Sequence, residues 1–143
     1  MAADAARQAI IERVERYFDS LRSGDLDARR RLFSPQGVLE EPLGTEPVEG
    51  GAALQAHWSR LTTEGVAFEP ELKRVIVAGR HALALALVRL LPAQGPSSVT
   101  EVFAAFEFDK ALEIRHLRVY RDESCTHLAS TAVSEADLAS RGT

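Results

Sequence analysis

From residue 81 to 91 the chain reads His-Ala-Leu-Ala-Leu-Ala-Leu-Val-Arg-Leu-Leu, so that Ala82, Ala84 and Ala86 alternate with Leu83, Leu85 and Leu87. Successive side chains of a strand point to opposite faces, which gives this segment one face of small apolar residues and one of large ones. A strand that is apolar on both faces is covered on both. Helices elsewhere in the chain can supply one cover. With 143 residues there is little left over for the other, which points to a second copy of the chain and a homodimer formed through the sheet.

The remaining elements are ordered around this strand. Ile10, Val14, Tyr17 and Leu21 recur at helical spacing and share the inward face of a first helix that ends at Ser23-Gly24. Asp25 can cap a short second helix carrying Leu26, Leu32 and Phe33, which Pro35 to Gly37 stop before a strand over 38–41. A turn-rich stretch over 42–51 leads into a third helix with Leu54, Trp58 and Leu61. Strands follow: one through Val75-Ile76-Val77, a turn at Ala78-Gly79-Arg80, the Ala/Leu strand, a loop rich in Pro, Gly and Ser over 92–98, a strand over 99–108, and a last one over 112–120. The expected class is α+β, with a single domain over 1–121 and a loose C-terminal extension over 122–143 that includes a short helix near 134–138.

Charge and cysteine content exclude several function classes. The net charge of −4 and 27% charged residues leave no electrostatic footprint for nucleic acid. The one basic run, Arg29-Arg30-Arg31, reads as a solvated helix face. Cys125 has no partner for an intrachain disulfide, and four scattered histidines lack metal-ligand spacing, so no metal and no cofactor are expected. The first residues lack a basic segment followed by an apolar one, and the apolar run over 82–88 is far too short for a bilayer. No membrane association and a cytoplasmic location are expected.

One segment carries chemistry. Val38-Leu39-Glu40-Glu41-Pro42-Leu43-Gly44 ends an apolar run in Glu41, which alternation turns the same way as Leu39. Burial disfavours a charged carboxylate, and this is how a weak acid becomes a useful base near neutral pH.

Four stretches together resemble the ketosteroid isomerase-like, or SnoaL-like, branch of the NTF2-like superfamily. They are Arg16-Tyr17 with Gly24-Asp25-Leu26-Asp27; the Glu40-Glu41-Pro42-Leu43-Gly44 segment with Pro47 and Gly50; His57-Trp58; and Phe106-Glu107-Phe108-Asp109 through Ile114-Arg115-His116-Leu117-Arg118-Val119-Tyr120. The resemblance runs over about 8–121. It implies a cone in which a curved antiparallel sheet wraps three N-terminal helices around a deep apolar cavity, commonly as a homodimer. It also implies that Glu41 is the general base and Tyr17 an oxyanion donor, the pairing used by the isomerases.

Two positions depart from that pattern. Counting back from Phe106-x-Phe108-Asp109, the second oxyanion donor of the isomerases falls on Ala104, which has nothing to donate; loss of one such donor costs on the order of 10²–10³ in rate. The base is Glu in place of Asp. The wording of the Glu41, His57 and Arg115-His116 segments is closer to relatives that tailor polyketides: polyether epoxide hydrolases, pyran-forming cyclases and an indane-forming cyclase. A ring-forming cyclase acting on a large apolar substrate is therefore the leading expectation. Epoxide hydrolysis, double-bond isomerisation of a 3-oxo steroid and a non-catalytic ligand-binding role are the alternatives. Epoxide opening asks for a second acid, for which Glu69 and Glu71 are candidates. Phe33, Phe68, Leu85, Val102, Ala104, Phe106 and Leu117 are expected in the pocket wall, and His57 and Trp58 in its lining or floor. His116 is expected on the sheet surface, and Glu101 and Glu107 to look away from the cavity.

Overall fold

The computed structural model describes residues 2–121, 124 and 126–129. Helix α1 (Ala2–Ser23) buries Ile10, Val14 and Tyr17 along one stripe. Each such large side chain contributes about 1.5–3 kcal/mol through removal from water. The helix ends where Gly24 takes φ 74° and its N–H donates to Ser20 O at 3.0 Å. The Asp25 carboxylate then accepts from Ala28 N at 3.0 Å and caps α2 (Leu26–Arg31).

Strand β1 (Phe33–Glu40) begins earlier than periodicity predicts. Phe33 is a strand residue paired with Ile114, not the end of the second helix. Pro35 and Gly37 do not stop an element; they form a bulge, because β1 advances from Phe33 to Val38 while its neighbour advances only from Ile114 to His116. β2 (Val48–Glu49) pairs with β1, and α3 (Gly51–Thr63) follows with Leu54 and Trp58 buried.

The long strands are β3 (Ala67–Ala78), β4 (His81–Leu91), β5 (Ser97–Phe108) and β6 (Ile114–Tyr120). β3 and β4 form the expected hairpin, with Gly79 at φ 60° in its turn. The turn before β6 is held by Asp109, whose Oδ1 accepts from the N–H groups of Ala111 and Glu113. The sheet curves around the helices in the order β2-β1-β6-β5-β4-β3 and stays open at both ends. It is mixed rather than antiparallel throughout, since β1 runs parallel to β6. β7 (Thr126–Ala129) pairs with the start of β5 and lies beyond residue 121, in the stretch expected to be a loose extension. Cys125 and the segment near 134–138 lie outside the described residues.

The Ala/Leu alternation of β4 resolves in one direction. Ala82, Ala84 and Ala86 are buried and Leu83 is 42% exposed, so the small residues face the helices and the large ones face outward. In-register neighbours extend the pattern: Ala84 lies beside Ala104, and Ala86 beside Val102.

Candidate active site

Beyond the alanines, a cavity of about 340 Å³ is bounded by α1, α2, α3 and the concave face of β3 to β6, where β4 contributes Val88 and Leu90. Tyr17, Glu41, Trp58, Phe68, Val102 and Ala104 line it, as expected from sequence, together with Arg29, Leu61, Val88 and Leu90. Glu64 and Arg121, both exposed, stand on its rim. Phe33, Phe106 and Leu117 are buried but pack behind the wall as core. Phe106 makes an edge contact with Tyr17, ring centroids 5.5 Å apart, and Phe33 tilts against Trp58 at 5.5 Å. Leu85 belongs to the opposite, outward face of β4, because the helices cover the alanine side.

Glu41 follows directly after β1, and its peptide bond to Pro42 is cis. Parallel pairing sets Glu40 opposite Arg118, and the N–H of Leu43 donates to Val119 O at 2.7 Å, so the chain is held against β6 on both sides of Glu41. The two adjacent glutamates go to opposite faces. Glu40 lies outside, 2.6 Å from His116 Nε2 and 3.4 Å from Arg118 Nε. Glu41 lies inside, its Oε1 3.5 Å from His57 Nε2, with 22% of its side chain exposed. His57 therefore stands beside the carboxylate and is not part of the wall. Arg60 Nη2 approaches His57 Nδ1 at 3.2 Å. A guanidinium only donates, so Nδ1 accepts and the ring proton on Nε2 faces Glu41. His116 repeats the arrangement with Arg118 at 3.4 Å on the outer face, where Glu107 also pairs with Arg115 and Arg118.

Tyr17 is 2% exposed, and its hydroxyl is one of two buried side-chain polar atoms without a partner among the described residues. Trp58 Nε1 is the other. Burial pushes the phenol far above its usual range; Glu41 adds to this and Arg29 opposes it. A buried, unpartnered donor in a cavity wall is the group to which a bound oxygen would be matched.

Glu69 and Glu71, the candidates for a second acid, do not line the cavity. Phe68 and buried Pro70 face inward, which turns both glutamates outward, where Glu69 pairs with Arg89 at 3.7 Å and Glu71 with Lys73 at 3.0 Å.

Arg29 is the residue that sequence reasoning misplaced. It is not on a solvated face; it is 3% exposed and lines the cavity. Nε donates to Ser20 Oγ at 3.1 Å, Nη2 to Ser20 O at 3.0 Å, and Cζ lies 5.0 Å from the centre of the Trp58 ring. The Ser20 hydroxyl donates to Tyr17 O at 2.6 Å, which ties this bracket to α1. The signal was present: Arg29 is three residues from both Leu26 and Leu32, on the inward stripe of α2. Among the described residues no group of His, Cys, Asp and Glu is arranged to hold a metal, and no helix is long and apolar enough to cross a membrane.

The curved sheet, the three helices and the mostly apolar cavity that holds Glu41 define an NTF2-like fold. The SnoaL-like domain pattern matches residues 14–127, and the chain belongs to that family. It is 41% identical over 54 residues to the epoxide hydrolase LasB of Streptomyces lasalocidi, a stretch that is 38% of this chain and 19% of LasB. The chain thus spans about a fifth of that relative. It is 29% identical over 107 residues to the steroid Delta-isomerase of Nocardioides simplex, covering 75% of this chain and 85% of the isomerase. Among solved structures, SalBIII, an epoxide hydrolase/cyclase-like enzyme in pyran ring formation of the polyether salinomycin, superposes with a TM-score of 0.75 at 21% identity. That match covers 85% of this chain and 97% of SalBIII.

Proposed function

We propose that the protein is a cofactor-independent cyclase that closes a ring on a large apolar polyketide, with Glu41 as general acid/base and Tyr17 as hydrogen-bond donor. The observation that carries this reading is the convergence of Glu41 and Tyr17 on one cavity whose remaining walls are mostly apolar. A carboxylate next to an apolar wall can move a proton between carbon or oxygen atoms that the wall holds in place. The volume, about 340 Å³, is at the low end of the roughly 300–1,000 Å³ usual for small-molecule sites. It takes the reacting portion of a long substrate while the rest leaves past Glu64 and Arg121. Folding a flexible chain into a reactive conformer removes an entropic barrier, so ring closure tolerates Ala104 better than enolisation does.

The kinship in fold with SalBIII, an enzyme of pyran ring formation, supports ring formation, and the local match to the epoxide hydrolase LasB supports epoxide opening as a related alternative. The longer match to the steroid isomerase keeps a double-bond shift as the second reading. Epoxide opening by paired acids would have to use rim residue Glu64, since Glu69 and Glu71 face outward.

The test is genetic and chemical together. Deleting the gene in its host should accumulate an acyclic apolar precursor visible by mass spectrometry, and purified protein should convert that precursor to the cyclic product. Glu41→Gln should not. Full conversion by Glu41→Gln would reduce the site to shape alone, and no accumulating precursor would favour a non-catalytic binding role.

We also propose that the outward sheet face joins two copies. Ile76, Leu83, Phe103 and Tyr120 are 49%, 42%, 38% and 42% exposed, and in-register pairing of Ile76 with Leu83 and of Phe103 with Tyr120 sets them on one face.

A further inference from the structure

Arg29 is a cation with little compensation. Removing a guanidinium from water is costly unless its donors and its charge are matched. Nε and Nη2 are matched by Ser20, and the Trp58 face attracts the charge. Nη1 has no protein partner among the described residues. The carboxylates that act on it do so through space: Glu41 is turned to His57, and Asp25 caps α2. Two hydrogen bonds to Ser20, one to its hydroxyl and one to its carbonyl, and the nearby Trp58 ring hold the guanidinium, with Nη1 left over on a residue that lines both this cavity and the smaller pocket beside it.

We propose that Arg29 is the second donor of this site, binding through Nη1, together with Tyr17, the substrate oxygen on which negative charge builds. This deepens the cyclase reading and rests on it only for the identity of the substrate. Ala104 has no donor to offer from the β5 side; Arg29 offers one from α2, across the cavity and with full charge. The ligand class that fits is an apolar body bearing one conjugated carbonyl, whose oxygen becomes enolate-like, or a phenol that binds ionised. Charge-assisted hydrogen bonds are about twice as strong as neutral ones, so this donor can substitute for a missing neutral acid.

The probe is 2-naphthol, whose ionised form absorbs at longer wavelength than the neutral one, with naphthalene as the uncharged control. The wild-type protein is expected to bind naphthol as naphtholate near neutral pH, read directly from the absorption spectrum. In Arg29→Met the ionised band should be lost and affinity for naphthol should fall about tenfold or more, the effect of one hydrogen bond to a charged group. Naphthalene affinity should stay within about twofold, which reports that the pocket is intact. Arg29→Lys should retain part of the ionised band. Glu41→Gln, which removes a nearby negative charge, should keep or strengthen it while abolishing ring closure, so the two proposals fail separately. Wild-type protein binding naphthol only in its neutral form would overturn the proposal without any variant. So would Arg29→Met retaining the naphtholate band, and if Arg29→Met does not fold, loss of the band in folded Glu41→Gln would do the same.

Discussion

His57 Nε2 stands 3.5 Å from Glu41 Oε1. The contact joins α3 to the exit of β1 and is long, so it orients the carboxylate without holding it tightly. Arg60 fixes the tautomer from the other side of the ring. Glu41→Gln is expected to lower the rate of product formation by about 10²–10⁴, the range for a lost general acid/base. His57→Ala should cost about tenfold through misorientation alone. His57→Gln, whose amide can reach the same oxygen, should recover part of that loss in steady-state assays; an equal loss in both variants would make the histidine a plain packing residue.

Tyr17→Phe should uncouple stability from activity. The hydroxyl is buried without a partner, so its removal is expected to raise stability by about 1 kcal/mol at neutral pH while turnover falls. Burial lifts the phenol above its ordinary value of about 10. The folded protein therefore keeps a proton that the unfolded chain loses, and stability falls as pH rises above about 10, by about 1.4 kcal/mol per pH unit from this group. Urea unfolding at neutral pH and near pH 11 checks both effects, since Tyr17→Phe should remove this alkaline component. A variant less stable than wild type at neutral pH would mean that the hydroxyl has a partner.

Glu69→Gln and Glu71→Gln should leave turnover within about twofold, because both side chains face solvent-side cations and exposed pairs contribute little. A large loss of activity in either would require the acid to reach the cavity after all. Glu64→Gln is the informative comparison, since Glu64 stands on the rim.

Leu83→Asp places a charge at the centre of the outward apolar row. In a dimer formed through that face it would be desolvated without a partner, and dissociation by several tens-fold is expected. Light scattering after gel filtration reads the mass; unchanged mass for wild type and variant would remove this face as an interface.

Gly37→Ala tests the bulge that aims Glu41. A Cβ at Gly37 would lie 2.9 Å from Ile114 O, 2.9 Å from the Phe33 ring and 3.1 Å from Ser34 O. Two of these neighbours are backbone, which cannot move cheaply, so a loss of about 1–3 kcal/mol is expected in chemical denaturation. Unchanged stability would show that β1 can slide against β6.

Much of the scaffold was legible because its signals are local. The stripe Ile10, Val14 and Tyr17 marked the inward face of α1, Asp25 marked the cap of α2, and Ala78-Gly79-Arg80 marked the hairpin. Phe33 was misassigned because Pro35 and Gly37 signal a stop equally well whether they end a helix or bulge a strand. The parallel pairing of β1 with β6 joins segments some 80 residues apart, and no local pattern encodes its direction.

The sequence by itself determined that β4 has two apolar faces, that Glu41 shares a side with Leu39, and that Ala104 has no donor. Only the tertiary structure decided that the alanines face the helices, and that Phe68 and Pro70 turn Glu69 and Glu71 away from the cavity. The tertiary structure also took Arg29 out of water and set it on Trp58. Periodicity is a property of neighbours along the chain, so a sequence displays it directly. Burial, and with it the cost and the use of a charge, is a property of segments that meet only when the chain is folded.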